Sequence, residues 1–170
     1  MEISVALKNQ HLPDRFTKHA PATDIYHGVP NRSFPIQIKD VPTGTKSLAL
    51  TFVDFDSIPV CGFTWIHWLA ANLPVKWEII PENASFDPEL RKQFVQGKNS
   101  SANKFAPREA DIQVGYNGPQ PPDKTHNYTL TVYALDTKLP LQDGYWLNEF
   151  RRAIQGHVLV KTKLELPCQA

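Results

Sequence analysis

The chain has 170 residues, the length of one domain, and its 41% hydrophobic and 21% charged residues are ordinary for a soluble globular protein. A net charge of +1 without any run of Lys or Arg gives no support for nucleic-acid binding or for attraction to a membrane surface. The most apolar window, residues 63–75, is too short for a transmembrane segment. The first residues lack the apolar core of a signal peptide. We therefore expect a single cytoplasmic domain over residues 1–170.

Short strands dominate the predicted secondary structure. In residues 47–53, Leu48, Leu50 and Phe52 share one face, and this period of two is typical of a strand. Fifteen prolines, scattered singly, favour a loop-rich β fold over a helical bundle. In chain order, strands are predicted at residues 3–7, 34–38, 47–53, 64–72, 126–134 and 158–166.

Two helices are predicted at the periphery of this β fold. The first covers residues 87–97, because Asp87 can cap it, Pro88 suits its first position and Gly97 can end it. The second covers residues 144–155, where apolar residues recur at helical spacing. The sequence therefore predicts a mainly β fold with peripheral helices.

Two carboxylates follow the strand at residues 47–53. If the strand continues by one residue, Asp54 shares the face of Leu50 and Phe52, where an unpaired charge would be costly. Asp54 and Asp56 are therefore candidate site residues. The alternative is a turn-forming pair, since Asp bends and caps the backbone readily.

His67 lies in the middle of a predicted strand and is expected to be at least partly buried. Strand alternation places it on the face of Trp65 and Leu69. A core histidine bonded to the backbone is the simplest interpretation. A nearby aspartate would instead fix its tautomer and favour its charged form.

His126 comes directly after a segment rich in glycine and proline. Glycines allow backbone N–H groups to approach a ligand closely, and prolines stiffen the loop. Inward-pointing N–H groups form an anion seat, although a tight turn before a strand would use the same residues. The candidate rim consists of Gly115, Gly118, Pro119, Pro121 and Pro122.

Common catalytic and metal motifs are absent from the sequence, which contains no GxSxG, P-loop, GxGxxG or HExxH pattern. Cys61 and Cys168 lack metal-ligand spacing and are expected to be free thiols. No two of the Asp and His candidates have a spacing that fixes them on one element. We therefore predict no metal, no cofactor and no enzymatic activity.

Several ordered motifs resemble the phosphatidylethanolamine-binding protein family. DFDSIP at residues 54–59 is similar to the family's DPDAP signature, and TWIHWL at 64–69 resembles the strand that follows it. GPQPP at 118–122 with HNY at 126–128 resembles the GPxPP and HRY signatures. The likeness extends over residues 35–159 and points to the bacterial and archaeal branch, often described as Raf kinase inhibitor-like.

The resemblance implies a large antiparallel sheet packed on a smaller one, with a cavity at the sheet end that binds phosphate or a similar anion. In that cavity the two imidazoles would donate to the anion, and Asp54 would orient one of them and raise its proton affinity. The matching ligand-binding positions are Asp54, His67, Gly118, Pro119, Pro121, Pro122, His126 and Tyr128.

The sequence also departs from the family signatures. Asn127 replaces the arginine of the HRY motif, and Gln120 stands where this branch often has cysteine. Without that arginine, anion binding would depend on the two histidines. We therefore expect an affinity that decreases as the pH rises past about 6–7, where imidazoles lose their charge.

These features favour a protein that binds a small anion, such as phosphate or a phosphorylated head group, and has a possible regulatory role. The first alternative is an inhibitor of a kinase or protease that acts through surface loops. The second is a hydrolase that uses His67 with Asp54 as a general base pair. The resemblance also implies a homodimer.

Overall fold

A five-stranded antiparallel sheet forms the centre of the computed structural model, which describes residues 1–170. The helices are short, and none is long and apolar enough to cross a membrane. The helices are α1 Ile58–Cys61 and α2 Leu147–Ala153. The strands are β1 Glu2–Ser4, β2 Ile25–Tyr26, β3 Val29–Pro30, β4 Ile36–Lys39, β5 Ser47–Asp54, β6 Trp65–Leu73, β7 Ile79–Ile80, β8 Val95–Gln96, β9 His126–Leu135 and β10 Val158–Cys168.

The large sheet has the strand order β10-β9-β5-β6-β8, so β5 is its central strand. A smaller sheet has the order β1-β4-β7, and β2 and β3 form a separate hairpin. This arrangement confirms the predicted fold class, a mainly β protein with a large antiparallel sheet, a smaller sheet and few helices.

Both faces of the large sheet are covered. On one face, Leu50 and Leu130 join Ile36 of the smaller sheet in a core cluster of 21 buried residues. On the other face, α2 contributes Phe150 to a cluster of seven buried residues. Every residue of β5 is buried as a result: Leu48, Leu50 and Phe52 belong to the first cluster and Ala49 to the second.

A β-bulge in β6 determines the direction of His67. Phe52 of β5 pairs with Trp68 and Val53 pairs with Ile66, so His67 is the extra residue between two pairs. Its ring packs near Phe52, on the face opposite Leu69. The sequence-based expectation that His67 shares a face with Leu69 is therefore wrong, because simple strand alternation does not continue through a bulge.

The predicted helix over residues 87–97 is also wrong. Asp87 does cap a turn, since its Oδ1 atom accepts the N–H groups of Glu89 and Leu90. Only a 3₁₀ turn, Arg91–Gln93, follows, and the chain then enters β8. Pairing of β8 with β6 outweighs the local helix signals of this short segment.

Two other local predictions are corrected by the structure. The segment after Asp54, predicted as a loop, contains the helix α1, which ends at Gly62 in the left-handed conformation, with φ of 89°. The strand predicted at residues 3–7 is limited to β1. The second predicted helix is confirmed as α2, within residues 144–155.

A substitution at Leu130 tests how much the central core contributes to stability. Its side chain is fully buried, and we expect Leu130→Ala to lower the free energy of unfolding by about 2–5 kcal/mol, because the substitution leaves a cavity. Urea unfolding measures this change. Leu159→Ala is the matched control, since Leu159 is 44% exposed and should cost less than about 1 kcal/mol. Equal losses in the two variants would contradict this account of the core.

Candidate functional site

A small cavity opens where β5 ends and β9 begins. Its volume is about 200 Å³. Asp54, the last residue of β5, and His126, the first residue of β9, both line it. The other lining residues come from β3, α1, β6, β9 and three connecting segments: Val29, Ser57, Val60, Cys61, Trp65, His67, Ser101, Arg108, Asn117, Gly118, Gln120, Pro122 and Tyr128.

His126 is held between two carboxylates. Its Nδ1 atom lies 2.7 Å from Oδ2 of Asp54, and its Nε2 atom lies 2.9 Å from Oδ1 of Asp123. His126 and Asp54 are buried, whereas the side chain of Asp123 is about half exposed. Both ring nitrogens of His126 are therefore engaged within the protein.

The two carboxylates determine the charge of His126. Burial alone would lower its pKa, but the hydrogen bonds and charges of Asp54 and Asp123 outweigh burial and raise the pKa above its ordinary value. This is the effect that the sequence analysis expected of Asp54 on one histidine. Asp54 thus pairs with His126 rather than with His67, its partner in the hydrolase hypothesis.

The turn after β5 holds Asp54 in place. The Oδ1 atom of Asp54 accepts the N–H of Ser57. The Ser57 hydroxyl lies 2.7 Å from the carbonyl oxygen of Asp54 and 2.9 Å from that of Phe63, so its one hydrogen can go to either, and it accepts the N–H of Trp65. This buried hydroxyl connects the two ends of the segment that contains α1, because all its hydrogen-bond partners are backbone groups before and after that helix.

His67 is neutral in this site. Its Nδ1 atom lies 2.7 Å from the carbonyl oxygen of Asn117. Burial lowers the pKa of His67 to about 4, although the carbonyls of Asn117 and Gly118 and the charge of Asp54 favour the protonated ring. The Nε2 atom makes no hydrogen bond within the protein and faces the cavity. A neutral His67 differs from the sequence-based hypothesis that both histidines supply charge to the anion.

Tyr128 forms the floor between the two histidines. Its ring packs edge-on against His67, with centroids 5.0 Å apart, and lies 6.2 Å from the ring of His126. Burial and the charge of Asp54 raise the pKa of Tyr128 far above its ordinary value. The hydroxyl therefore stays protonated at neutral pH and is a potential donor.

The glycine- and proline-rich segment at residues 115–122 uses its N–H groups within the fold. The N–H of Asn117 bonds to the carbonyl of His67, and the N–H of Gly118 bonds to that of Pro30. Gly115 and Tyr116 also donate within the chain, and the N–H of Gln120, the remaining donor of this segment, is directed toward the hydroxyl of Tyr128. The predicted seat of several inward N–H groups is therefore wrong.

Gly118 has a packing role in this turn. A Cβ atom at this position would lie 2.5 Å from the carbonyl oxygen of Phe16 and 2.6 Å from Cβ of Pro30. Glycine therefore allows the turn to pack against the N-terminal part of the chain, and this packing, rather than approach of a ligand to the backbone, accounts for its presence.

Some predicted site residues lie outside the cavity. Asp56 accepts the backbone N–H of Asn127. The carbonyls of Pro119 and Pro121 accept hydrogen bonds from Lys18, and Gly115 packs beside Ser85 and Gln96. The cavity brings together the remaining six predicted positions: Asp54, His67, Gly118, Pro122, His126 and Tyr128.

Comparison with known proteins agrees with this architecture. The family model described as phosphatidylethanolamine-binding protein matches residues 2–169. The chain belongs to the phosphatidylethanolamine-binding protein family. Among its relatives, Bacillus subtilis YxkA is 48% identical over 159 residues, which cover 93% of this chain and 94% of YxkA. A Methanothermobacter thermautotrophicus relative is 36% identical over 134 residues and covers 79% of this chain and 80% of that protein.

Solved structures of the family share the fold. A Chlamydia trachomatis homologue of the phosphatidylethanolamine-binding proteins superposes with a TM-score of 0.72 at 28% identity, over 93% of this chain and 88% of that one. E. coli YbcL, described as a member of the mammalian family, gives a TM-score of 0.73 at 23% identity, over 99% and 98% of the two chains. The second likeness concerns the fold alone.

Arg108 is the one cationic residue of the Lys or Arg type that lines the cavity, and sequence reasoning missed it. It lies in an exposed loop without a motif and is brought to the cavity by two hydrogen bonds, from its N–H to the carbonyl of Ser101 and from the Gln113 amide to its own carbonyl. Its guanidinium takes part in none of the ion pairs of the chain. Asn127, where the family signature has arginine, does not line the cavity.

The depressed pKa of His67 predicts a pH effect on stability. Between its ordinary pKa of 6.5 and the folded value of about 4, the unfolded chain binds more protons at this residue, so stability decreases as the pH falls through this window. From pH 7 to pH 5, we expect the free energy of unfolding to decrease by about 2 kcal/mol more in the wild type than in His67→Gln.

Urea unfolding at the two pH values measures this difference. The control is His19→Gln, since His19 is an exposed histidine and should leave the pH dependence of the wild type unchanged. An identical loss of stability in the wild type and His67→Gln would contradict a neutral, buried His67.

Proposed function

We propose that the cavity binds a small anion, such as phosphate or a phosphorylated head group. The observation that carries the proposal is the unpaired guanidinium of Arg108, which lines the same cavity as His67 and Tyr128. Guanidinium is always charged and matches phosphate oxygens in pairs. A fixed cation beside a protonated phenol is a suitable receptor for an anion.

The size of the cavity favours a small ligand. Pockets for drug-sized molecules have volumes of about 300–1,000 Å³, and this cavity has about 200 Å³. It is large enough for a phosphate with a short substituent. The acyl chains of a lipid would have to remain outside.

The proposal assigns different roles to the two histidines. His126 has hydrogen bonds at both nitrogens and a raised pKa, so it holds the cavity wall without donating to the ligand. The ligand contacts would come from Arg108, from the hydroxyl of Tyr128 and from Nε2 of His67. This differs from the sequence-based hypothesis in which both imidazoles donate to the anion.

Arg108 provides the test of the proposed function. We expect Arg108→Gln to weaken the binding of phosphorylethanolamine at least about tenfold, because a charge-assisted hydrogen bond is lost. Titration followed by the histidine-ring NMR signals measures the affinity, and the signal of His67 should shift on binding.

The matched control for this test is Arg91→Gln. Arg91 is an exposed arginine outside the cavity, so its replacement should leave the affinity within about twofold of the wild type. An Arg108→Gln variant that binds like the wild type would refute the role of Arg108. The absence of any response of the His67 signal in the wild type would refute the binding function.

One feature favours the alternative of an inhibitor that acts through surface loops. Phe105 is fully exposed, in the same loop as Arg108. Exposed aromatic side chains are common in protein–protein contacts. If a kinase or protease is bound in this way, we expect Phe105→Ser to abolish the interaction and His67→Ala to preserve it, as measured with the purified partner.

A further inference from the structure

The tautomer of His67 is fixed by the backbone. Its Nδ1 atom lies 2.7 Å from the carbonyl oxygen of Asn117, and a carbonyl can only accept a hydrogen bond. The N–H of Asn117 bonds in turn to the carbonyl of His67, at 2.9 Å, so the two residues are joined twice. The proton of the neutral ring is therefore on Nδ1, and the second hydrogen bond between the two residues holds the Asn117 carbonyl beside it.

The second ring nitrogen of His67 is consequently a lone pair that faces the cavity. The ring is buried, with 5% of its surface exposed, and its low pKa keeps Nε2 unprotonated above about pH 4. The charged and titratable groups that share the cavity with His67 are Asp54 from β5, Cys61 from α1, His126 and Tyr128 from β9, and Arg108 from its loop, and Asp123 contacts His126.

A lone pair at this position can only accept a hydrogen bond, so it favours a ligand that has a hydrogen to donate. An oxygen of a phosphate dianion, a phosphodiester or a sulfate ester carries no hydrogen and would place its own lone pair against Nε2. A phosphomonoester that retains one proton presents a P–OH group, which can donate to Nε2 while Arg108 and Tyr128 donate to the other oxygens. An unmade hydrogen bond in a buried site is costly.

Resting on the proposed function, we infer that the ligand is a phosphomonoester in its singly protonated form, whose P–OH group donates to Nε2 of His67. A phosphodiester, which is the linkage of an intact phospholipid, and a sulfate ester lack this proton and should bind more weakly. The inference concerns binding only, and no bond is made or broken.

Three ligands with the same ethanolamine group test the inference. They are O-phosphorylethanolamine, ethanolamine O-sulfate and glycerophosphoethanolamine. At pH 5.5 the sulfate ester and the diester carry one negative charge and one ammonium group, and so do about three-quarters of the O-phosphorylethanolamine molecules, because the second pKa of a phosphomonoester is about 6. Net charge is therefore nearly matched, and only O-phosphorylethanolamine carries the P–OH proton.

Isothermal titration calorimetry at pH 5.5 measures the three affinities. We expect O-phosphorylethanolamine to bind the wild type at least about tenfold more tightly than either of the other two ligands. Between pH 5.5 and 7.5 its affinity should decrease as it loses its proton, while the affinity of the sulfate ester should stay nearly constant. Both measurements use the wild-type protein and do not depend on a variant that folds.

His67→Gln adds a second test. A glutamine amide can place an N–H group near the position of Nε2, and it does not titrate. We expect the preference for the phosphomonoester to fall to within about threefold in this variant. His19→Gln is the control, and it should retain the preference of the wild type.

The outcomes separate this inference from the proposed function. Equal binding of the three ligands by the wild type would overturn the inference and leave the anion site intact. Tight binding of the sulfate ester with uptake of a proton would also overturn it, because His67 would then be charged in the complex. If none of the three ligands binds, the proposed function fails as well.

Discussion

The hydrogen bond between Asp54 and His126 is the interaction on which the cavity depends. It joins the last residue of the central strand to the first residue of its neighbour, and both side chains are buried. Removal of either partner would leave a buried polar group without compensation. The cavity lies at this strand end because the two polar side chains interrupt the apolar core there, and the half-exposed Asp123 bonds the other nitrogen of His126.

The β-bulge of β6 determines the chemistry of the opposite wall. It turns His67 toward the core that contains Phe52, where the Asn117 carbonyl fixes its tautomer and burial keeps it neutral. The two histidines thus have opposite characters: His126 has a raised pKa and is hydrogen-bonded at both nitrogens, whereas His67 has a lowered pKa and one open nitrogen. The difference comes from their partners, carboxylates for His126 and a carbonyl for His67.

The sequence was sufficient for the fold class and for six of the cavity residues, because alternation and ordered motifs are local signals. It did not identify the bulge at His67, since an extra residue leaves no mark in the hydrophobic pattern. It predicted a helix at residues 87–97 where strand pairing prevails. Arg108 was missed because its loop has no pattern and reaches the cavity through tertiary hydrogen bonds.

The turn at residues 115–118 has a consequence for the energetics of recognition. Its backbone donors are bonded to β6, to Pro30 and to neighbouring segments before any ligand arrives. A wall that is already ordered loses little conformational entropy on association. A ligand with only a few heavy atoms, which offers few contacts, can therefore convert most of its interaction energy into affinity, whereas a flexible rim would consume that energy in becoming ordered.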